Sequence, residues 1–144
     1  MIAIVCSEFN SKVTDGLLRG CLVALNKDGV SSEKIDIYKV PGAFELPGKV
    51  KLLTRENTTY DAIIALGCVI KGETDHYHYI SQAVTDGIMS LTIELDSDYP
   101  KIIFGVLTCQ SKELAIARSD SNMDKNKGYE AGKAALKMIS TKED

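Results

Sequence analysis

Residues 65–80 read Ala-Leu-Gly-Cys-Val-Ile-Lys-Gly-Glu-Thr-Asp-His-Tyr-His-Tyr-Ile, and both histidines of the chain, His76 and His78, fall in this stretch. The apolar run 62–66 reads as a buried strand, Gly67 and Gly72 as a turn, and a helical pattern opens at about His76. The first N–H groups of a helix lack internal partners, and the helix dipole favours negative charge there. Gly72, Glu73 and Thr74 add backbone N–H groups and a hydroxyl suited to phosphate, and Lys71 adds a cation. His76, at the helix start, is the candidate for proton transfer. His78 reads as structural or partly exposed. The His76-x-His78 spacing sets both rings on one side of a strand but apart on a helix. With a helix here, no metal site is expected.

Other chemistry-bearing residues lie after the remaining strands. Phe9 follows the first and Phe44 the second, and an aromatic at a strand mouth can stack on a flat heterocycle. Either ring alone could simply cap the core. Two at neighbouring mouths, with Glu45 beside one, favour a ligand whose ring N–H or hydroxyls the carboxylate accepts. Arg118 and Lys127 are cations without obvious local partners. Solvated surface charge accounts for both, but a guanidinium suits bidentate phosphate binding, which ranks Arg118 above Lys127.

The elements that must position these groups alternate. Unbroken apolar runs at 2–6 and 62–66 read as strands buried on both faces, as in parallel sheets, and 35–40 and 102–107 read as the second and fourth strands. Helical stripes cover about 11–27, closed by Gly29, then 43–55, 76–95, a short 111–118 and 128–139. Pro47 falls in a first helical turn, where proline is tolerated. Residues 119–127 are polar and aperiodic and read as a loop, and the chain end is expected to fray. Nothing is drawn from Gly16 and Gly20. The pattern gives an α/β domain with a parallel sheet, right-handed crossovers and helices on both faces. Ligands in such sheets bind outside the carboxyl ends of the strands.

With 144 residues, 44% hydrophobic and 26% charged, the chain fits one soluble globular domain. A net charge of −3 gives no footprint for nucleic acid or an anionic membrane, and no apolar run is long enough to span a bilayer. Residues 1–6 read as a strand rather than a signal peptide. Cys6, Cys21, Cys68 and Cys109 have no metal-ligand spacing, so reduced thiols in a cytoplasmic protein are expected. The chain has no GxxxxGK[ST], GxGxxG or GxSxG motif, which disfavours P-loop, dinucleotide-binding and serine-hydrolase readings.

In their order, these residues resemble the lumazine synthase family. The matching segments are Glu-Phe-Asn at 8–10, Val-Pro-Gly-Ala-Phe-Glu-Leu-Pro at 40–47 and Gly-Cys-Val-Ile-Lys-Gly-Glu-Thr-Asp-His at 67–76. Phe-Gly-Val-Leu-Thr at 104–108, Ala-Ile-Ala-Arg at 115–118 and Asn-Lys-Gly-Tyr-Glu-Ala at 126–131 complete the set. The resemblance implies condensation of 5-amino-6-(D-ribitylamino)uracil with 3,4-dihydroxy-2-butanone 4-phosphate, without metal or organic cofactor. It implies that Phe9 stacks on the pyrimidinedione, that Ala43, Phe44 and Glu45 hold the ring and ribityl chain, and that Cys68, Val69 and Ile70 line the heterocycle. Glu73 and Thr74 with Arg118 would take the phosphate, assisted by Lys127. His76 would move protons, and Phe104 would come from a neighbouring subunit's side of the site.

The expected fold is a single three-layer domain over residues 1–144, with a four-stranded parallel sheet in the flavodoxin-like order 2-1-3-4. Two departures from the family bear on assembly: the chain starts directly at its first strand, and the 119–127 segment is longer and lacks the usual glycine. A homopentamer, or at most paired pentamers, is therefore expected rather than a sixty-subunit shell, with riboflavin synthase left open as a partner. Two other readings compete. A non-catalytic flavin- or lumazine-binding module would not need His76 or a phosphate site with Arg118. A purely structural shell subunit would need no polar constellation at the strand mouths.

Overall fold

The computed structural model describes residues 1–55, 60–96 and 98–140. Four strands, β1 (Ile2–Ser7), β2 (Ile35–Val40), β3 (Ala62–Ile70) and β4 (Lys101–Cys109), form a parallel sheet in the order β2-β1-β3-β4. They alternate with α1 (Ser11–Lys27), α2 (Leu46–Arg55) and α3 (His76–Glu94), and β4 is followed by α4 (Lys112–Ala117) and α5 (Lys127–Ser140). The expected fold class and strand order are those observed. The expected fraying of the chain end falls on residues 141–144, outside the described residues.

Strand periodicity divides the core between two faces. Ile2, Ile4, Cys6, Ala62, Ile64 and Leu66 pack beneath the α1 stripe of Val13, Leu17, Cys21 and Leu25, together with Ala131 and Ala135 of α5. Ala3, Val5, Ile63, Ala65 and Val106 pack on the other side against Leu46, Val50 and Leu53 of α2 and Val84, Ile88 and Leu91 of α3. Both faces of β1 and β3 are dry, which is why their sequences run apolar without alternation. Leu95 is the residue that ends α3 rather than one inside it.

Helix ends follow local chemistry. At the α1 C-terminus Gly29 takes φ +86°. Its N–H donates to the Asn26 carbonyl at 3.0 Å, and Val30 N–H donates to the Leu25 carbonyl at 3.1 Å. This closure needs a left-handed residue that glycine supplies without a side-chain clash. The segment expected as one helix from residue 43 opens instead with a tight 3₁₀ turn, Ala43–Glu45, before α2 begins. Pro47 falls in the first turn of α2, as expected.

The third strand departs from expectation. Gly67 is not a turn residue: β3 runs to Ile70, and its pairing with β4 continues to Ile70↔Cys109. Glycine is required there by packing rather than bending. A Cβ on Gly67 would stand 2.8 Å from Leu46 Cδ1 and 3.0 Å from Ser7 Oγ. The turn therefore begins only after Ile70.

Glycines also explain how closely α1 approaches both the segment after α4 and α5 itself. A Cβ on Gly16 would lie 2.0 Å from the Ser119 carbonyl oxygen, and one on Gly128 would lie 1.8 Å from that of Leu17. Both obstacles are backbone and cannot swing aside. Gly128→Ala is accordingly expected to cost about 2–3 kcal/mol through overpacking. The denaturant midpoint measures this, and an unchanged midpoint would refute the close-packing account.

Candidate active site at the carboxyl ends of the strands

The segments leaving β1 and β2 are joined before any ligand is considered. Glu8 N–H donates to the Val40 carbonyl at 2.8 Å and Phe9 N–H to the Pro41 carbonyl at 2.9 Å. These bonds hold the two aromatic mouths together, with Phe9 71% and Phe44 60% exposed. Rings of that size, left in water on rigid loops, are surfaces for a flat partner. Glu45 is held as well: Gly42 N–H donates to its Oε2 at 3.0 Å, leaving Oε1 to accept from a ligand.

Beside them, β3 outruns its neighbour. Pairing of β1 with β3 ends at Cys6↔Leu66, whereas β3 and β4 stay paired to Ile70. Residues 67–70 thus keep their β4 partners while the edge that faced β1 is open. Unpaired strand edges present N–H and C=O groups in a fixed row, ready to pair with whatever carries the complementary pattern. One of these acceptors is already taken, since the Asn10 side-chain amide donates to the Cys68 carbonyl at 3.3 Å. Asn10 sits in the left-handed region, φ 64° and ψ 48°, a conformation asparagine tolerates better than most residues. Its own carbonyl accepts the Val13 and Thr14 N–H groups that start α1.

These pieces enclose a cavity of about 610 Å³. Of the residues expected in the site, Phe9, Ala43, Phe44, Glu45, Cys68, Val69, Ile70, Thr74 and His76 line it. Gly72, expected with Thr74 as part of a phosphate turn, lines it too, and Asn10, Pro41, Gly42, Tyr77 and Ile80, to which no role was assigned, complete the wall. Asparagine directly ahead of a helical stripe was the available signal for Asn10. Tyr77 carried no signal beyond its place beside His76.

At the rim, His76 is exposed and is the first residue of α3. Its N–H donates to Thr74 Oγ1 at 3.3 Å. The Tyr77 hydroxyl donates to the Thr108 carbonyl at 3.1 Å, tying the start of α3 to the end of β4. His78 does not line the cavity; its ring meets Tyr77 edge-on at 5.1 Å. Cys68 is 2% exposed, and its thiol belongs to the core beneath α1. Burial, with Cys109 nearby, pushes that thiol up to about 12, so it stays protonated and is no nucleophile at neutral pH.

Glu73, Phe104, Arg118 and Lys127 are not in the cavity wall, and among the described residues no lysine or arginine lines it. Phe104 is 37% exposed on the edge strand β4. Arg118 follows α4, and its Nη1 donates to the Leu114 carbonyl at 3.0 Å. Its charge opposes the rise that burial causes in the Cys109 thiol, which puts it near the carboxyl end of β4. Lys127 N–H donates to the Arg118 carbonyl at 2.8 Å, so the two cationic residues are bonded neighbours. Lys127 Nζ makes an exposed 3.5 Å ion pair with Glu130. One chain therefore carries an aromatic cavity with an exposed histidine at its rim, and Arg118 and Lys127 outside its wall.

Comparison with known proteins shows the family. The family model described as 6,7-dimethyl-8-ribityllumazine synthase matches residues 1–143. The chain is 43% identical over 140 residues to 6,7-dimethyl-8-ribityllumazine synthase 1 of Caulobacter vibrioides, an alignment covering 97% of this chain and 88% of that protein.

Proposed function

The chain belongs to the 6,7-dimethyl-8-ribityllumazine synthase family, and from that premise we propose how its residues divide the work. The enzyme is a transferase of riboflavin biosynthesis. It condenses 5-amino-6-(D-ribitylamino)uracil with 3,4-dihydroxy-2-butanone 4-phosphate to 6,7-dimethyl-8-ribityllumazine, releasing phosphate and water.

The observation that carries the assignment of residues is the open edge of β3 facing two exposed aromatic rings across one cavity. A pyrimidinedione has amide-like donors and acceptors along its rim, which an unpaired strand edge matches. In this reading Cys68, Val69 and Ile70 meet the ring edge, Phe9 stacks on its face, and Ala43, Phe44 and Glu45 hold the ribityl hydroxyls. The ring amine attacks the ketone, water leaves as the imine forms, phosphate is eliminated, and closure of the second ring expels another water. His76, at the rim beside Thr74, is the group that carries protons between these steps. Each transfer is undemanding, and most of the acceleration comes from holding two reactants together, worth up to about 7–11 kcal/mol in well-oriented systems.

The phosphate needs cations that this cavity does not supply from its own wall. Arg118 and Lys127, with Glu73 and Thr74, are assigned to it, and Arg118, Lys127 and Phe104 reach the reactants by completing a neighbouring subunit's cavity. The family is oligomeric, and a closed ring of five is the form proposed here, with head-to-tail contacts that close on themselves. Residues 119–126, polar and bonded back onto α1 and α5, offer little for contacts between such rings. Five chains of 15.7 kDa give 5 × 15.7, about 79 kDa. Light scattering on the eluted protein checks this: a megadalton species would refute the pentamer, and an active monomer would refute the shared site. A cytoplasmic location belongs to the same reading, since Cys6, Cys21, Cys68 and Cys109 are all free.

The assay for the function itself mixes the protein with both substrates and follows lumazine absorbance together with released phosphate. Absence of either product from folded protein would overturn the assignment.

A further inference from the structure

We infer that Asn126 is a positioning residue for phosphate binding, acting through the two cationic residues on either side of the loop it closes; this rests on the assignment of Arg118 and Lys127 to the phosphate.

Asn126 is polar, yet only 1% exposed. Both ends of its side-chain amide are hydrogen-bonded inside the protein. Nδ2 donates to the Gly16 carbonyl at 3.2 Å and to the Asp120 carbonyl at 2.9 Å, while Oδ1 accepts from Tyr129 N–H at 3.0 Å. One amide thus connects α1, the 119–126 loop and the first turn of α5. A buried amide whose donors and acceptor are all satisfied holds its surroundings in one arrangement. Gly20 makes room for it, since a Cβ there would fall 2.1 Å from Oδ1.

The loop's two ends are what this bolt fixes. Arg118 immediately precedes the loop and Lys127 immediately follows Asn126, and Lys127 N–H donates to the Arg118 carbonyl at 2.8 Å. A dianion needs both charges at a defined separation, whereas two long side chains on a loose loop would lose much of their attraction to disorder. Asn126 touches neither reactant in this scheme. It sets the backbone from which both cations extend.

The experiment compares Asn126→Ser with wild type and with Arg118→Ala. Serine can still accept from Tyr129 N–H but is too short to bond Gly16 and Asp120. Asn126→Ser is expected to raise both the KM of the phosphate-bearing substrate and the inhibition constant of inorganic phosphate about tenfold, matching the loss of one to two hydrogen bonds. The KM of the pyrimidine should stay within about twofold, a split that general loosening of the fold would not produce. If Arg118→Ala spares phosphate affinity, the assignment of Arg118 fails. If Arg118→Ala is selective and Asn126→Ser is not, the inference about Asn126 alone fails. Should Asn126→Ser not fold, Asn126→Asp, which keeps the acceptor and lacks the donors, replaces it. Loss of the folded state in both would overturn the inference, making Asn126 a requirement of the fold rather than of phosphate binding.

Discussion

Arg118→Ala is expected to raise the KM of the phosphate-bearing substrate by roughly 10- to 150-fold, the equivalent of about 1.5–3 kcal/mol for a hydrogen bond to a charged group. The pyrimidine's KM should move little, because the ring's proposed seat lies in the cavity, whose wall Arg118 does not join. The guanidinium is exposed and makes a 3.0 Å bond to a carbonyl of its own helix. Much of its donor fork is therefore available to a dianion without breaking structure. Arg118→Lys should recover only part of the loss, since an ammonium is a point charge and cannot bond two oxygens in one plane. Separate Michaelis constants for the two substrates decide the matter. Equal loss for both would remove Arg118 from the phosphate role.

His76→Ala is expected to lower kcat about a hundredfold without abolishing turnover, at the low end of the roughly 10²–10⁴-fold that general acid–base groups contribute. The low end follows from its setting. His76 is exposed at the first position of α3, where water can deliver protons in its place, and the cavity still holds both reactants together. Folded variant with no detectable activity would show that proton transfer, not positioning, dominates the barrier. A wild-type rate would show that His76 has no part in the chemistry.

How far the molecule could be read from its residues depended on whether a position answers to local pattern or to a distant neighbour. The α1 helix was legible end to end, because its stripe, its length and the Gly29 stop are local. The parallel sheet was legible because dry strands leave unbroken apolar runs. Gly67 was misread, because a glycine within an apolar run looks like a turn, and only Leu46 and Ser7, distant in sequence, show that it is a close-packed strand residue. Asn126 was taken as part of a polar loop, because composition cannot distinguish a solvated amide from a buried one with every partner in place. Gly16 and Gly20 carried no message until Ser119 and Asn126 were found against them.

For the site, Phe9, Phe44, Glu45 and His76 could be found from strand ends and chemistry alone. Cys68, Val69 and Ile70 came only with the family resemblance, since what they offer is the freedom of one strand edge, which no side-chain type encodes. Asn10 escaped for the same reason: its amide stands in for a missing strand partner.

The shortness of β1 beside β3 works as an aperture. Residues 67–70 lie beyond the last β1–β3 pair, Cys6↔Leu66, and at about 3.3 Å per residue they run roughly 13 Å past it, with the Cys68 carbonyl already held by Asn10. In the proposed reading, the room for a flat heterocycle and its polyol tail follows from the difference between two strand lengths, and side chains only tune it. An insertion that let β1 run on alongside β3 would shut the aperture and carry Phe9 and Asn10 away from it. Such a chain would fold, keep its aromatic and histidine residues, and have nowhere to put the ring.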